Sequence, residues 1–283
     1  MNVQQTIQQP VEFRGTGLHS GTEAILRLFP SGVNTGIWFV RKDRAGYPKV
    51  RADVMSVQEI QRRTAIVSGS AEIHTVEHLM AALYACAITN LLVEIEGDEV
   101  PGLDGSALPF YLGIQQAGIV KQSEKAVEFC LKEPLTLTER NVTVEAYPCA
   151  DGLRLTYQLQ YPYSWFADQE YSILLTQESF AREIASARTF VLEPEVELLK
   201  KAGLGKGATL QNTLVFNERG IIQNTLRFPD ECVRHKILDL IGDLSLLNVR
   251  LKAHIVAKRS GHQANFKLAL KIREVMKSLQ LVS

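Results

Sequence analysis

The sequence predicts an α+β protein with two similar domains, each built from a β-sheet and two main helices. The chain has 283 residues, of which 46% are hydrophobic, so it can bury one large core or two ordinary ones. Both halves follow one order along the chain: strands, a buried helix that starts near a histidine, a strand, a glycine-marked turn and a closing helix.

The first half begins with segments that alternate or cluster apolar residues between glycine and proline breaks, which is typical of strands. These segments are VEFRGTGLHSG, EAILRLFP and GIWFVRK. A helix is predicted over about 75–86, with Thr75 as its N-cap, followed by a strand over 90–96. After a turn at 101–105, a second helix is expected over about 106–117.

The second half follows a polar, mixed segment at 121–132, so we expect domains at 1–124 and 125–283. Strands are predicted in AVEFCLKEPLTLTE, VTVEAYP and LRLTYQLQY, and then come a helix over 177–184, a flexible glycine-rich loop in AGLGKGATL and the strand TLVFNE. A helix containing VRHKILDLIGD, the strand LKAHIVAKR and a final helix from about Gln263 complete the chain. This last helix is amphipathic, with apolar Leu268, Ile272, Val275, Met276 and Leu279.

The two halves also match in the spacing of their polar markers. Asp104 follows His78 by 26 residues, and His262 follows His235 by 27. One interpretation is an old duplication of a single α+β unit.

Composition excludes several classes of function. Lysine plus arginine and aspartate plus glutamate are balanced at 31 each, so nothing indicates a nucleic-acid partner, and no protein partner is predicted. The start resembles no secretory signal, and the longest uncharged apolar run, 79–93, is shorter than the roughly 20 residues of a membrane span. Four cysteines without a C-x-x-C pair indicate reduced thiols and a cytoplasmic location, with no stable membrane insertion.

The segment VRHKILDLIGD carries His235, Asp239 and Asp243, each four residues from the last, so their side chains lie within about 80° of one another on a helix. The other positions are mostly apolar, which predicts that this polar stripe is buried. A histidine and an aspartate four residues apart more often form a local hydrogen bond. Buried acids, however, normally have a metal ion or a cation as partner.

Two histidines and a carboxylate form a common catalytic zinc site, and His78 is the second histidine of this hypothesis. Glu77 precedes it and is then a general base toward water, although an acid in the first turn of a helix is also favoured by the helix dipole alone. His262 is either a solvated turn residue or a general acid. Lys236 is either a surface lysine or a cation for an anionic substrate, and Asp243 either pairs locally or orients a histidine.

Several motifs together resemble the bacterial UDP-3-O-acyl-N-acetylglucosamine deacetylases, zinc amidases that act early in lipid A synthesis. The resemblance runs nearly from end to end. Its motifs are GTGLHSG (15–21), HTVEHLMAAL (74–83), PGLDGSALPF (101–110), ARTF (187–190), GLGKGATLQNTLV (203–215), VRHKILDLIGD (233–243) and SGHQANFKLAL (260–270). The family fold implies that the helices pack between two sheets.

The resemblance implies a function and a set of site residues. The reaction is hydrolysis of the N-acetyl amide of a UDP-linked, O-acylated N-acetylglucosamine. Zinc is expected on His78, His235 and Asp239, although the same ligands suit Fe²⁺. The remaining implied roles are general base (Glu77), general acid (His262), orientation of that acid (Asp243), oxyanion binding (Thr189), substrate contact (Lys236), and positions lining or near the site (Phe190 and His19).

An insert around 191–213 is expected to form an apolar passage for the acyl chain. The chain departs from the family at Gly102–Leu103 and at 190–192, which affects the acyl-chain preference rather than the proposed ligands. Two other functions are open. One is metal-dependent deacetylation of a different acetylated sugar, and the other is binding of an acyl or nucleotide-sugar ligand without catalysis.

Overall fold

A computed structural model describes residues 3–280, so the first two and last three residues of the predicted domains lie outside the described part. The helices are α1 (Glu77–Ala85), α2 (Leu108–Ala117), α3 (Gln177–Glu183), α4 (Glu193–Lys201), α5 (Glu231–Ser245) and α6 (His262–Ser278), with a 3-10 turn at Val54–Ser56. The strands of the first half are β1 (Val3–Ile7), β2 (Val11–Thr16), β3 (Glu23–Pro30), β4 (Ile37–Arg41), β5 (Lys49–Arg51), β6 (Val57–Gln58), β7 (Ala65–Ser68), β8 (Ala71–His74), β9 (Leu91–Glu96) and β10 (Ile119–Lys125). Those of the second half are β11 (Glu128–Cys130), β12 (Leu135–Glu139), β13 (Val142–Pro148), β14 (Leu153–Leu159), β15 (Gln169–Leu174), β16 (Phe190–Leu192), β17 (Leu214–Asn217), β18 (Gly220–Ile221) and β19 (Arg250–Lys258).

Two main sheets have the same strand order, which confirms the predicted α+β fold with two similar units. In the first sheet the order is β2-β3-β9-β4-β5, and in the second it is β12-β13-β19-β14-β15. The late strand of each half, β9 or β19, lies in the middle, antiparallel to one neighbour and parallel to the other. The second sheet has one further strand, β11, which pairs in parallel with β19.

The strands form where alternate residues are apolar. In β19 the inward positions are Leu251, Ala253, Ile255 and Ala257, all buried, while the residues between them are more exposed. Strand β3 follows the same period with Ala24, Leu26 and Leu28. One face of each sheet is therefore apolar and must be covered.

The helices cover these faces and join the halves. All nine residues of α1 are buried, and this helix packs against α5. Helices α5 and α6 lie on the second sheet, whereas α2 packs on β2 of the first. A single hydrophobic cluster contains core residues of both sheets and of these helices, which places the helices between the sheets.

One glycine sets the closeness of the α1–α5 contact. A Cβ atom at Gly242 of α5 would lie only 2.1 Å from the carbonyl oxygen of Glu77 at the start of α1. The two backbones can approach this closely only because position 242 has no side chain. The crossing lies beside the residues that were proposed for catalysis.

Several of the smaller elements were not predicted from the sequence. Strand β1 pairs with β10, and β6, β7 and β8 form a separate three-stranded sheet before α1. Helix α4 and most of β16 fall within the predicted insert at 191–213, whereas β17, which matches the predicted strand TLVFNE, and β18 follow it. The predicted boundary after residue 124 falls at the end of β10.

The prediction that Thr75 caps α1 was wrong. The helix begins at Glu77, its N-cap residue is Val76, and no side chain caps it. Thr75 has a positive φ of 57°, and its Oγ1 donates a hydrogen bond to Glu99 instead. The Thr75 hydroxyl therefore binds the buried carboxylate of Glu99 and is not available to cap the helix. Across residues 3–280 no helix is both long and apolar enough to cross a bilayer.

Candidate metal centre and active site

Three side chains from α1 and α5 bring possible metal ligands together. His78, His235 and Asp239 are each at most 5% exposed, and their ligand atoms lie within 4.8 Å of one another. Asp239 Oδ1 is 3.4 Å from His235 Nε2 and 3.7 Å from His78 Nε2. The polar stripe predicted on α5 is therefore buried, and the first half of the chain supplies the third side chain.

The protonation of this cluster suits a cation. His235 Nδ1 lies 3.0 Å from the carbonyl oxygen of Ala187, which fixes the proton on Nδ1 and leaves the Nε2 lone pair facing Asp239. Burial lowers the pKa of His235 to about 4, so the imidazole is neutral at pH 7. Burial also opposes ionisation of Asp239, but Lys236 and His235 outweigh it and the pKa of this carboxyl is lowered. A neutral imidazole and an ionised carboxylate are donors that a divalent transition metal requires, and His78 adds a second imidazole, so the residues fit such an ion.

Glu77 stands beside this cluster with one oxygen directed into the site. Its Oε2 accepts a hydrogen bond from the backbone N–H of Thr64 at 3.1 Å, and its Oε1 lies 3.8 Å from His262 Nε2. Burial raises the pKa of Glu77, although His262 and His78 act in the opposite direction. A carboxylate whose proton affinity is raised in this way is suited to accept a proton from water.

His262 is the first residue of α6 rather than a residue of an open turn. Its Nδ1 lies 2.9 Å from Asp243 Oδ2, which also accepts a hydrogen bond from Asn265 at 2.8 Å. Burial disfavours the charged imidazole, but Asp243 and Glu77 outweigh it and raise the pKa of His262 to about 9. The imidazole is therefore protonated at neutral pH, as a general acid must be.

These groups face one cleft with a volume of about 1130 Å³. Its walls include Glu77, His78, His235, Asp239 and His262. Asp243 does not line the cleft and lies behind His262. Acid, base and possible metal ligands therefore share one cavity that is open to solvent.

The residues implied by the family resemblance also border this cleft: His19, Thr189, Phe190 and Lys236. The backbone of Thr189 is held between Gly105 and Leu214 by two hydrogen bonds. The ring of Phe190 lies edge-on to the ring of His235, with 6.4 Å between their centroids.

Lys236 and His19 differ in how they are partnered. Lys236 Nζ pairs with Asp239 Oδ2, which leaves Asp239 Oδ1 toward the two histidines. Among the buried side-chain nitrogen and oxygen atoms of residues 3–280, only His19 Nδ1 has no hydrogen-bond partner. Burial lowers the pKa of His19 to about 4, so it offers a neutral ring to the cleft.

The structure also places two further histidines and the glycine-rich segment. His74 and His254 lie outside the cleft lining, paired with Glu72 and Thr156 respectively. The glycine-rich segment, predicted as a flexible loop, contains no helix or strand over 202–210 and packs on the turn after β2. There Gly207 donates to the carbonyl of Leu18, and a Cβ at this glycine would lie 2.2 Å from the carbonyl oxygen of Gly17.

Sequence reasoning missed the buried polar groups that support the site. Thr64 contacts both Glu77 and Asp243 but belongs to no recognisable motif. The fully buried Glu231 binds the guanidinium and backbone N–H of Arg188, which follows the Ala187 carbonyl that orients His235. An acidic residue in the first turn of α5 was a weak signal for this pair, because acids are common there without a partner.

Comparisons with known proteins identify the family of this chain. The family model described as UDP-3-O-acyl N-acetylglycosamine deacetylase (LpxC) matches residues 4–274. A protein of Thermosynechococcus vestitus named UDP-3-O-acyl-N-acetylglucosamine deacetylase is 43% identical, over 96% of this chain and 94% of that protein. Proteins of the same name from Chlamydia abortus and Citrifermentans bemidjiense are 43% and 41% identical, each over 96% of this chain and over 98% and 89% of their own lengths. The chain belongs to the UDP-3-O-acyl N-acetylglycosamine deacetylase (LpxC) family.

Proposed function

We propose that this protein hydrolyses the N-acetyl amide of UDP-3-O-acyl-N-acetylglucosamine, releasing acetate and UDP-3-O-acyl-glucosamine, an early committed step of lipid A biosynthesis. The observation that carries this proposal is the convergence of Glu77, His262 and the cluster His78, His235 and Asp239 in one cleft. Membership of a family named for this reaction supplies the substrate. A binding protein without catalysis has no need of an acid, a base and three ligands together.

The proposed reaction needs two proton transfers, and this chain has a group placed for each. Glu77 accepts a proton from the water that attacks the acetyl carbon. As the carbon–nitrogen bond breaks, protonated His262 gives its Nε2 proton to the departing amine, so that acetate and a free amine result. Asp243 holds His262 through Nδ1 and keeps Nε2 toward the cleft.

His78, His235 and Asp239 would hold the divalent cation, which we propose to be Zn²⁺, although the donor set also suits Fe²⁺. Such an ion supplies Lewis acidity at the acetyl carbonyl. Thr189 is proposed to donate a hydrogen bond to the oxyanion from the cleft wall that it shares with Phe190. Lys236 is proposed to contact the substrate, and the unpartnered Nδ1 of His19 is available to a substrate polar group.

The insert around 191–213 is proposed to line the passage for the acyl chain. Val191 and Leu199 of this segment border the cleft and give it an apolar flank beside Phe190. The two proposed domains, 1–124 and 125–283, then form the two walls of the site. Four free cysteines agree with the proposed reducing, cytoplasmic location.

The test is deacetylation of the UDP-linked acyl substrate by the purified protein, with metal analysis and with a chelator. We expect Glu77→Ala and His262→Ala each to lose most activity while retaining metal, because neither residue is a proposed ligand. Near-normal turnover in either variant would contradict the assigned roles. Activity that survives complete metal removal would overturn the mechanism, and preferred turnover of another acetylated sugar would change the substrate.

A further inference from the structure

Thr64, the residue before β7, lies where the two walls of the cleft meet. It is 4% exposed and comes from the first half of the chain. Its backbone N–H donates to Glu77 Oε2 at 3.1 Å, and its Oγ1 donates to Asp243 Oδ1 at 2.5 Å. Thr64 therefore contacts both the proposed base and the carboxylate that holds the proposed acid.

The hydroxyl also determines where the nearby protons lie. Thr64 Oγ1 is 3.2 Å from His262 Nδ1 as well as within hydrogen-bond distance of Asp243. An ionised carboxylate can only accept, so the single hydroxyl proton goes to Asp243. The oxygen then presents a lone pair to His262 Nδ1, which must carry its proton, and Nε2 is left toward Glu77 and the cleft.

Asp243 is held by three donors in this arrangement. Thr64 binds Oδ1, while His262 and Asn265 bind Oδ2 at 2.9 and 2.8 Å. Of these donors, only Thr64 comes from the first half of the chain, so it ties the carboxylate to the wall that carries Glu77. The carbonyl of Thr64 accepts a hydrogen bond from Val76 N, which anchors it one residue before Glu77.

We propose that Thr64 is a positioning residue that sets the orientation of His262 toward Glu77 through its hydroxyl contact with Asp243. This inference rests on the proposed deacetylase function. Thr64 does not reach the reacting atoms itself. It acts through Glu77 and, by way of Asp243, through His262. Because the contact with Glu77 uses the backbone and the contact with Asp243 uses Oγ1, a side-chain substitution separates the two.

The test compares Thr64→Val, which keeps the shape and the backbone N–H but removes Oγ1, with Thr64→Ser, which keeps the hydroxyl. We expect Thr64→Val to lower kcat by about 10- to 100-fold, the effect of one hydrogen bond to a charged group, with KM nearly unchanged. Thr64→Ser should retain most of the activity. Thr6→Val is the matched control, because it removes another buried threonine hydroxyl, one that accepts from Ser31 N far from the site.

A double-mutant cycle tests whether the effect passes through Asp243. In an Asp243→Ala background the hydroxyl has lost its acceptor, so adding Thr64→Val should change kcat by less than about twofold. An independent readout is the NMR signal of the His262 Nδ1 proton, which should shift in Thr64→Val and not in Thr6→Val. This signal requires neither substrate nor metal.

The outcomes separate the two proposals. If the wild-type protein does not deacetylate the substrate, the proposed function fails, and the NMR comparison still decides the role of Thr64. If the wild type is active, any one of three results would overturn this inference. They are a normal kcat in Thr64→Val, equal losses of kcat in Thr64→Ser and Thr64→Val, and an undiminished loss of kcat when Thr64→Val is added to Asp243→Ala. Should Thr64→Val fail to fold, Thr64→Ala against Thr64→Ser gives the same comparison.

Discussion

Replacing Gly242 with alanine should displace Glu77, the proposed catalytic base, without unfolding the protein. The added Cβ would lie 2.1 Å from the carbonyl oxygen of Glu77 and 2.8 Å from its carbonyl carbon. Backbone atoms cannot rotate away as a side chain does, so α1 and α5 must separate by about 1 Å to reach ordinary van der Waals contact. Glu77 and His78 would move with α1, away from the side chains on α5.

Two opposing terms keep the stability change small. Overpacking of a tight contact costs about 1–3 kcal/mol, while alanine gains up to about 1 kcal/mol over glycine inside a helix. We therefore expect a net loss of about 0–2 kcal/mol in the free energy of unfolding. A shift of about 1 Å in a catalytic group costs about 100-fold in rate, so kcat should fall far more than stability.

The assay measures kcat and denaturant unfolding of Gly242→Ala together with its metal content. Gly113→Ala is the matched control, because position 113 is also inside a helix and a Cβ there would lie 2.5 Å from a ring carbon of Phe13, away from the cleft. It should lose stability and keep kcat. A Gly242→Ala protein with wild-type kcat would refute the view that this helix crossing fixes the base.

Two further predictions concern buried charges outside the reacting groups. Arg188→Ala leaves Glu231 buried without its cation and should lower the free energy of unfolding by about 3–5 kcal/mol. The control, Arg182→Ala, breaks an exposed pair and should cost less than about 1 kcal/mol. Similar losses for the two variants in denaturant unfolding would contradict this. Burial raises the pKa of Glu99, but hydrogen bonds from backbone N–H groups including that of Ser20 outweigh it, so the folded pKa lies below 4.5. The stabilisation by the Glu99 carboxylate is therefore complete above pH 4.5 and is lost as the pH falls through the folded pKa. The difference in the free energy of unfolding between wild type and Glu99→Gln should then shrink below pH 4.5. A difference that stays constant from pH 3 to 7 would refute this.

Sequence patterns predicted the main helices and strands because burial of one face makes apolar residues recur at a regular spacing. In β19, apolar and polar residues alternate, and on α5 most residues around His235 and Asp239 are apolar. Both patterns indicate which residues face the core. These signals gave the α+β class and the buried polar stripe of α5. The four-residue spacing predicted that His235 and Asp239, two of the proposed metal ligands, share a helix face, but it contained no information about the third proposed ligand, His78.

The remaining features depend on contacts between residues far apart in the chain. Thr64 and Asp243 are separated by 179 positions, and neither contains a periodic signal that refers to the other. The N-cap prediction at Thr75 failed for the same reason, since the buried Glu99 competes for its hydroxyl. Helix α4 was missed because it is short and mostly charged, and none of its residues is buried in the core.

The division of the site between α1 and the α5–α6 pair has a mechanical consequence. Glu77 and His78 are consecutive residues and move as one rigid unit, while His262 and Asp243 are joined by a hydrogen bond on the other wall. A displacement of α1 relative to α5 would therefore carry Glu77 and His78 together, and would change both the 3.8 Å gap between Glu77 and His262 and the 3.7 Å distance between His78 and Asp239. The proposed base and one ligand of the possible metal cluster thus share one helix, so a change that shifts α1 disturbs both of them at once.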